Sequence, residues 1–219
     1  MVYCYIYIFY DLLTAKLAPK DIALVLSSKN ENRDMETKLV RGLFERFYFS
    51  NAVTRLGLIS PSIFTGQSAI LQPLTGQLNV EQIVRILGSF PKDREHEKYL
   101  KHALEKTIPQ LFAKSDASTT NKVVFIFVDS QPSTTASTRA YVDGLKALHF
   151  QGIRPVLLTS DSTTFNAVKE LVSSTSSPTK PRVVLLNKDS DLKDIVNLLD
   201  NVKQGMRLFL TFGFVLKPY

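Results

Sequence analysis

The sequence has few of the residues that build disulfides or metal clusters. Its single cysteine, Cys4, can form no internal disulfide, and no grouping of Cys and His has the spacing of zinc ligands. The three histidines, His96, His102 and His149, fall on or at the ends of predicted helices. His96 and His102 are six residues apart, so they do not share a helical face. Surface or packing roles are therefore expected for the histidines.

Motifs for nucleotide binding and for nucleophilic catalysis are also missing. No G-x-G-x-x-G follows the first predicted strand, no Walker-type lysine loop occurs, and there is no G-x-S-x-G elbow. The sequence therefore predicts no cofactor and no catalysis. An enzyme with a doubly wound fold is the least favoured alternative.

No hydrophobic run is long enough to cross a bilayer as a helix. Residues 1–13 (MVYCYIYIFYDLL) and 206–216 (MRLFLTFGFVL) are apolar but too short, and the first lacks the basic start and cleavage site of a signal peptide. We assign 1–19 and 205–219 as apolar terminal segments flanking a domain at 20–204. A sheet-edge strand, a partner-docking surface or the margin of an incomplete gene model would each explain these segments.

The charge balance is basic, with a net charge of +7 and a pI near 9.4. This balance raises nucleic acid, an anionic polysaccharide or a lipid surface as partners. The densest basic region, 92–106, interleaves its lysines and arginine with acidic residues, which is typical of a solvated helix face. A nucleic-acid-binding stripe is therefore not expected, whereas an anionic polysaccharide stays a candidate partner.

Between its ends the chain alternates strand-like and helix-like segments. Apolar runs predict strands at 21–26, 55–60, 69–74, 122–128, 153–159 and 182–187. Three-and-four spacing predicts helices between them and a last helix at 190–202, capped by Ser190. Local signals predict N-caps at Asn79 and Ser162, a helix stop at Gly152, and a kink or helix end at Pro109. This order indicates an α/β, doubly wound three-layer sandwich with a mostly parallel six-stranded sheet and helices on both faces.

Several of these segments together resemble a known family. They are DIALVL, RLGLIS, LNVEQIVRIL, the pair Ala103 and Leu104, KVVFIFVD and GIRPVLLTS. From residue 21 to about residue 203 the chain resembles a von Willebrand factor type A domain, most closely those of multidomain matrix and adhesion proteins such as collagen VI. The resemblance implies a doubly wound sheet with a short antiparallel edge strand, and a role in adhesion or the extracellular matrix.

Members of that family often hold magnesium or manganese in a metal-ion-dependent adhesion site. Its motif is Asp-x-Ser-x-Ser after the first strand, a Thr from a later loop and an Asp after the fourth strand. Here the first three positions are Ser27, Lys29 and Glu31, the Thr falls near Lys98, and only Asp129 matches. A divalent ion would lose most of its oxygen ligands. We therefore expect a degenerate site without metal, in which Lys29 pairs with Asp129 and Glu31 lies nearby.

These observations predict a non-enzymatic protein-interaction module within a larger multidomain chain. The resemblance implies an extracellular protein that binds a matrix or cell-surface protein without a bridging cation, through loops 27–33, 91–96 and 130–138. The candidate partner-binding residues are Lys29, Glu31, Asp129, Ser130 and Ser133. The alternative is a cytoplasmic scaffold domain in a multiprotein assembly, favoured by the poor signal peptide and the lack of disulfides.

Overall fold

Six strands form a single sheet in the computed structural model, which describes residues 20–62, 66–89, 96–113, 115, 121–173, 181–186 and 195. The strands are β1 (Lys20–Val25), β2 (Thr54–Pro61), β3 (Ser68–Thr75), β4 (Asn121–Phe127), β5 (Ile153–Thr159) and β6 (Arg182–Leu185). Their order across the sheet is β3-β2-β1-β4-β5-β6. The predicted fold class is confirmed.

The direction of each strand follows from its sequence. Strand β1 is buried along its whole length and pairs in parallel with β2 and β4, as a continuous apolar run covered on both faces should. Strand β3 runs antiparallel to β2 at one edge, where Pro73 removes a ladder donor without cost to a neighbour. The carboxyl ends of β1, β2, β4 and β5 consequently meet at one edge of the sheet.

The helices are α1 (Arg33–Arg46), α2 (Val80–Ser89), α3 (His96–His102), α4 (Ile108–Phe112), α5 (Thr135–Phe150) and α6 (Ser162–Ser173). A 3-10 turn, Asn30–Asn32, leads directly into α1. A π-helical turn, Ala103–Thr107, joins α3 to α4.

Alternating side chains of the strands build two separate cores. Ile22 and Leu24 face α1 and α2, where Leu43 and Ile83 are buried against them. Ala23 and Val25 point to the opposite face and pack with α3, α4, α5 and α6. Each fully buried aliphatic side chain contributes about 1.5–3 kcal/mol, so the two layers of helices fix the sheet from both sides.

Local capping signals hold in two places and shift in a third. Asn79 caps α2 reciprocally, since Gln82 N–H donates to Asn79 Oδ1 (3.0 Å) and Asn79 N–H donates to Gln82 Oε1 (2.8 Å). Gly152 ends α5 with a φ of 72°, which glycine adopts without strain. The prediction that Ser162 caps α6 is wrong by one residue, because Asp161 Oδ2 accepts the Thr164 N–H at 2.6 Å.

The helix containing Pro109 continues past the proline, so the predicted helix end is wrong, while the predicted kink stays a prediction. The π-helical turn ends at Thr107, and Ile108 N–H reaches back to the carbonyl of Ala103. Pro109 therefore falls in the first turn of α4, where no amide proton is needed. The buried Ile108 and Leu111 continue the apolar stripe past the proline.

Several predictions concern residues outside the described part of the chain. These are the terminal segments 1–19 and 205–219, loop residues 91–95, and the predicted helix at 190–202 apart from Ile195. Ile195 is buried in the same core cluster as Ile22 and Leu24. The domain limits at 20 and 204 stay predictions. None of the helices among the described residues is long and apolar enough to span a membrane.

Candidate functional site

The carboxyl ends of β1 and β4 bring Ser27 and Asp129 together. The two strands pair in parallel with Val25 opposite Ile126, so the residues that follow them leave the sheet side by side. Asp129 is 6% exposed and Ser27 is fully buried. A carboxylate this deep must be satisfied by hydrogen bonds or by opposite charge.

Hydrogen bonds from the β1 end hold both oxygens of the Asp129 carboxylate. Ser27 Oγ donates to Oδ1 at 2.6 Å, and Ser28 donates to Oδ2 from its backbone N–H and from its hydroxyl, each at 2.6 Å. Asn32 Nδ2 adds a bond to Oδ1 at 2.9 Å. Such short bonds to an ionised acceptor are stronger than neutral ones.

The same network extends to the end of β5. Asn32 Oδ1 accepts a hydrogen bond from Ser160 Oγ at 2.8 Å, while its amide donates to Asp129. Asn32 therefore bridges the ends of β4 and β5. We call this cluster the crown. Its members are Ser27, Ser28, Asn32, Asp129 and Ser160.

A second carboxylate supports the crown from below. Glu36 on α1 is fully buried, and its Oε1 accepts the backbone N–H of Ser27 at 2.6 Å. Glu36 lies on the buried stripe of α1 with Leu39, Val40 and Leu43, a spacing that could have marked it in the sequence as an acidic residue on an apolar face.

Tyr99 on α3 closes the site from the other face of the sheet. Its side chain is 1% exposed and its hydroxyl donates to the carbonyl oxygen of Leu26 at 2.9 Å. Burial, and then the charges of Asp129 and Glu36, hold the pKa of Tyr99 well above its usual value. The phenol therefore stays protonated and acts as a donor.

Lys29 pairs with Glu31 in the structure, and not with Asp129 as the sequence predicted. The Lys29 ammonium lies 3.3 Å from Glu31 Oε1, and both side chains are largely exposed. In the turn after β1, the Lys29 N–H donates to Ser27 Oγ at 2.9 Å, and the lysine side chain is exposed. Lys29 and Glu31 therefore form the rim of the crown.

The other predicted site residues lie beside the crown on loops and helices. Ser130 is exposed directly after Asp129, and the exposed Ser133 donates from Oγ to Glu97 Oε2 at 2.7 Å. Lys98 on α3 is exposed and packs against Gly66. The structure thus gathers all the predicted partner-binding residues around one end of the sheet.

Sequence reasoning placed Ser28 and Asn32 in the candidate loop 27–33 without giving either a role, and it did not identify Glu36, Ser160 or Tyr99 as part of this site. Four of these five contact the ends of β1 or β4 from another segment of chain, so their roles depend on tertiary packing. No group of three or more His, Cys, Asp or Glu side chains that could hold a metal ion occurs within the described ranges.

Comparison with known proteins defines the class of fold. No protein-family model matches the sequence, and no curated protein matches it. Solved structures of type A domains do match. They include proximal thread matrix protein 1 from the mussel byssus, with 16% identity and a TM-score of 0.58 over 84% of this chain. The same mussel protein is also known with a zinc-occupied MIDAS motif, the metal-ion-dependent adhesion site.

Two further solved structures match with similar TM-scores. Manganese-loaded TRAP protein of Plasmodium vivax matches at 13% identity and a TM-score of 0.58 over 83% of this chain and 72% of its own. The SpRpn10 VWA domain matches at 12% identity and a TM-score of 0.55 over 82% of this chain and 95% of its own. The present chain spans about half (47%) of the mussel chain.

The chain therefore has the fold of a von Willebrand factor type A domain.

Proposed function

We propose that this domain is a non-enzymatic protein-interaction module of the extracellular-matrix type that binds its partners without a bridging cation. The observation that carries the proposal is the engagement of both Asp129 oxygens by the hydroxyls of Ser27 and Ser28. The proposed binding surface is the rim of the crown, Lys29 and Glu31, together with the exposed Ser133 beside it.

The residues present do not fit a resident divalent ion. The first carboxylate of the family motif is replaced by Ser27, whose hydroxyl donates to Asp129, and the two serine positions carry Lys29 and Glu31. An ion would need the serine lone pairs and the Asp129 oxygens turned toward it, which would break short hydrogen bonds in a buried site. These contacts support a degenerate adhesion site.

Manganese titration tests whether the domain binds a divalent cation at the crown. Wild type should show no saturable manganese binding by calorimetry and no rise in Tm. The triple variant Ser27→Asp, Lys29→Ser, Glu31→Ser, which restores the Asp-x-Ser-x-Ser part of the family motif beside Asp129, should gain both. A manganese-dependent rise in wild-type Tm that Asp129→Asn abolishes would overturn the proposal.

The absence of catalysis is also part of the proposal. A serine and a histidine do meet beside the π-helical turn, where Ser68 Oγ lies 2.9 Å from His102 Nδ1. The Ser68 backbone N–H donates to the same nitrogen at 3.1 Å, and Thr107 Oγ1 lies 2.6 Å from Ser68 Oγ. These shared contacts support a structural role for the pair, which fastens β3 to the π-helical turn.

The proposed partner is a matrix or cell-surface protein, in line with the collagen VI-like segments, and the proposed setting is an extracellular, larger multidomain chain. Retention of the domain on immobilised collagen should be equal in EDTA and in magnesium, and the rim variant Lys29→Glu, Ser133→Arg should lose it. Retention on heparin that falls with salt, with none on collagen, would instead point to the anionic polysaccharide.

The alternative is an intracellular scaffold domain in a multiprotein assembly. It is favoured by the match to the SpRpn10 VWA domain, 95% of whose chain is covered. The two settings are distinguished by the mature N-terminus of the native protein, determined by mass spectrometry, together with cell fractionation. A secreted, processed chain supports the matrix proposal, and an unprocessed cytosolic chain supports the scaffold.

A further inference from the structure

A cavity of about 400 Å³ opens beside the crown, between α3, α5 and the loop that follows β4. Its apolar walls include Leu100 from α3, Pro132 from the loop, and Ala140 and Tyr141 from α5. The volume is in the range of sites that hold a small ligand or an inserted side chain. None of the contacts that form the crown uses this cavity.

Two buried polar atoms in the cavity walls have no hydrogen-bond partner within the described part of the chain. They are the Tyr141 hydroxyl and Glu97 Oε1. The other oxygen of Glu97, Oε2, accepts the Ser133 hydroxyl at 2.7 Å. Burial raises the pKa of Tyr141 far above its usual value, so the phenol stays protonated. Buried polar atoms are normally paired, so two unpaired ones beside one cavity indicate a missing ligand.

The chemistry of Glu97 selects the kind of ligand. An acceptor oxygen of a carboxylate without a donor is best satisfied by a cationic donor. The lysine at the next turn does not supply it, because the Lys101 ammonium lies 3.9 Å from Glu105. Only one oxygen of Glu97 lacks a partner, which suits the point charge of an ammonium better than the two-pronged guanidinium of arginine.

We propose that this cavity receives a lysine side chain of a protein partner. The aliphatic stem lies against Leu100, Pro132 and Ala140, and the ammonium group binds Glu97. Lysine side chains bury such stems along apolar walls while the charge reaches a polar group. The inference rests on the proposed function, since it gives the interaction module one chemical feature of its partner.

Chemical-shift titration with small peptide probes tests the proposal. N-acetyl-lysine methylamide should give saturable shifts at Glu97, Ser133 and Ala140. The norleucine analogue, which keeps the stem but lacks the charge, should bind more weakly by a factor of about ten or more. The variant Glu97→Gln should remove this preference for lysine. Glu105→Gln, which changes an exposed glutamate on the same helical run, should leave it intact.

The variant Ala140→Phe, which fills the cavity, should abolish binding of the lysine probe while Tm stays near wild type. Equal affinity for the lysine and norleucine probes, or unchanged lysine affinity in Glu97→Gln, would overturn the proposal. Tighter binding of n-butylammonium than of the peptide probe would also overturn it, in favour of a free amine. Collagen retention that survives Glu97→Gln would reject the lysine site and leave the proposed function standing.

Discussion

The two ends of the sheet each bury an aspartate, and they satisfy it in different ways. At the amino end, Asp21 is 1% exposed and receives two parallel bonds from Arg55, both at 2.7 Å, with Ser115 as a further donor. At the carboxyl end, Asp129 receives the hydroxyls of Ser27 and Ser28, a backbone N–H and the Asn32 amide.

The difference separates a local ion pair from a wider hydrogen-bond network. Asp21 and Arg55 are register partners on β1 and β2, so their pairing fixes two neighbouring strands and is complete in itself. The crown joins an acceptor at the end of β4, Asp129, to donors from the end of β1 and from Asn32, and Ser160 at the end of β5 donates to Asn32. The carboxyl end is therefore held by a network from several segments of chain, whereas the amino end is held mainly by one ion pair.

Removing Arg55, at the amino end of the sheet, should have the largest effect on stability. Arg55→Ala leaves the Asp21 carboxylate buried without its counter-charge, and breaking a buried pair in this way costs about 3–5 kcal/mol of unfolding free energy. Urea denaturation at neutral pH measures the loss. The exposed pair Arg41–Glu81 supplies a matched control, since Arg41→Ala should cost at most about 1 kcal/mol. Equal losses for both variants would show that the Asp21 pair is not structural.

Removing the carboxylate of the crown should cost less. Asp129→Ala leaves two serine hydroxyls and the Asn32 amide without their acceptor, and hydrogen bonds to a charged group contribute about 1.5–3 kcal/mol net. The same urea titration measures this change. Asp143→Ala, at a weak exposed pair with Arg139, should change stability by less than about 0.5 kcal/mol. A loss at Asp129 no larger than this control would show that the crown is not a connected network.

The meeting of the two strand ends could be predicted from the sequence, whereas the donors of the crown could not. Two apolar runs of buried-strand type implied neighbouring strand ends, and hence an approach of Lys29 to Asp129. The ends do meet, but Ser27, 102 residues from Asp129 along the chain, makes the contact. The lysine at position 29 was predicted to fill the site because its charge complements Asp129. In the structure Lys29 pairs with Glu31, in a turn where its backbone N–H donates to Ser27 Oγ, and such turn geometry leaves no periodic signal in the sequence.

Local helix signals were similarly reliable only where one interaction decides the outcome. Asn79 and Gly152 depend on their own turn, and both were predicted correctly. Pro109 depends on the residues before it, because the π-helical turn shifts the hydrogen-bond pattern ahead of the proline. Glu36 shows another limit of prediction from sequence. A glutamate on an apolar helical stripe is visible in the sequence, but its partner, the Ser27 N–H, depends on how α1 packs against the sheet.

The smallest predicted effect concerns Asp161, an exposed aspartate at the same end of the sheet as the crown. The hydroxyl and then the backbone N–H of Thr164 hold the pKa of Asp161 below the usual 3.8, with the charge of Lys29 adding to the effect. A lowered folded-state pKa contributes stability above the unfolded value, and this contribution is lost as pH falls through the folded value. Asp161→Asn keeps a capping acceptor but has no charge to titrate. The variant should therefore be slightly less stable than wild type at neutral pH, and this gap in stability between the two proteins should close below pH 3.8. Urea midpoints of both proteins across that range measure the gap. A gap that stays constant at low pH would mean that the carboxylate charge of Asp161 plays no part in the cap, in contrast to the charge-assisted bonds that hold Asp129.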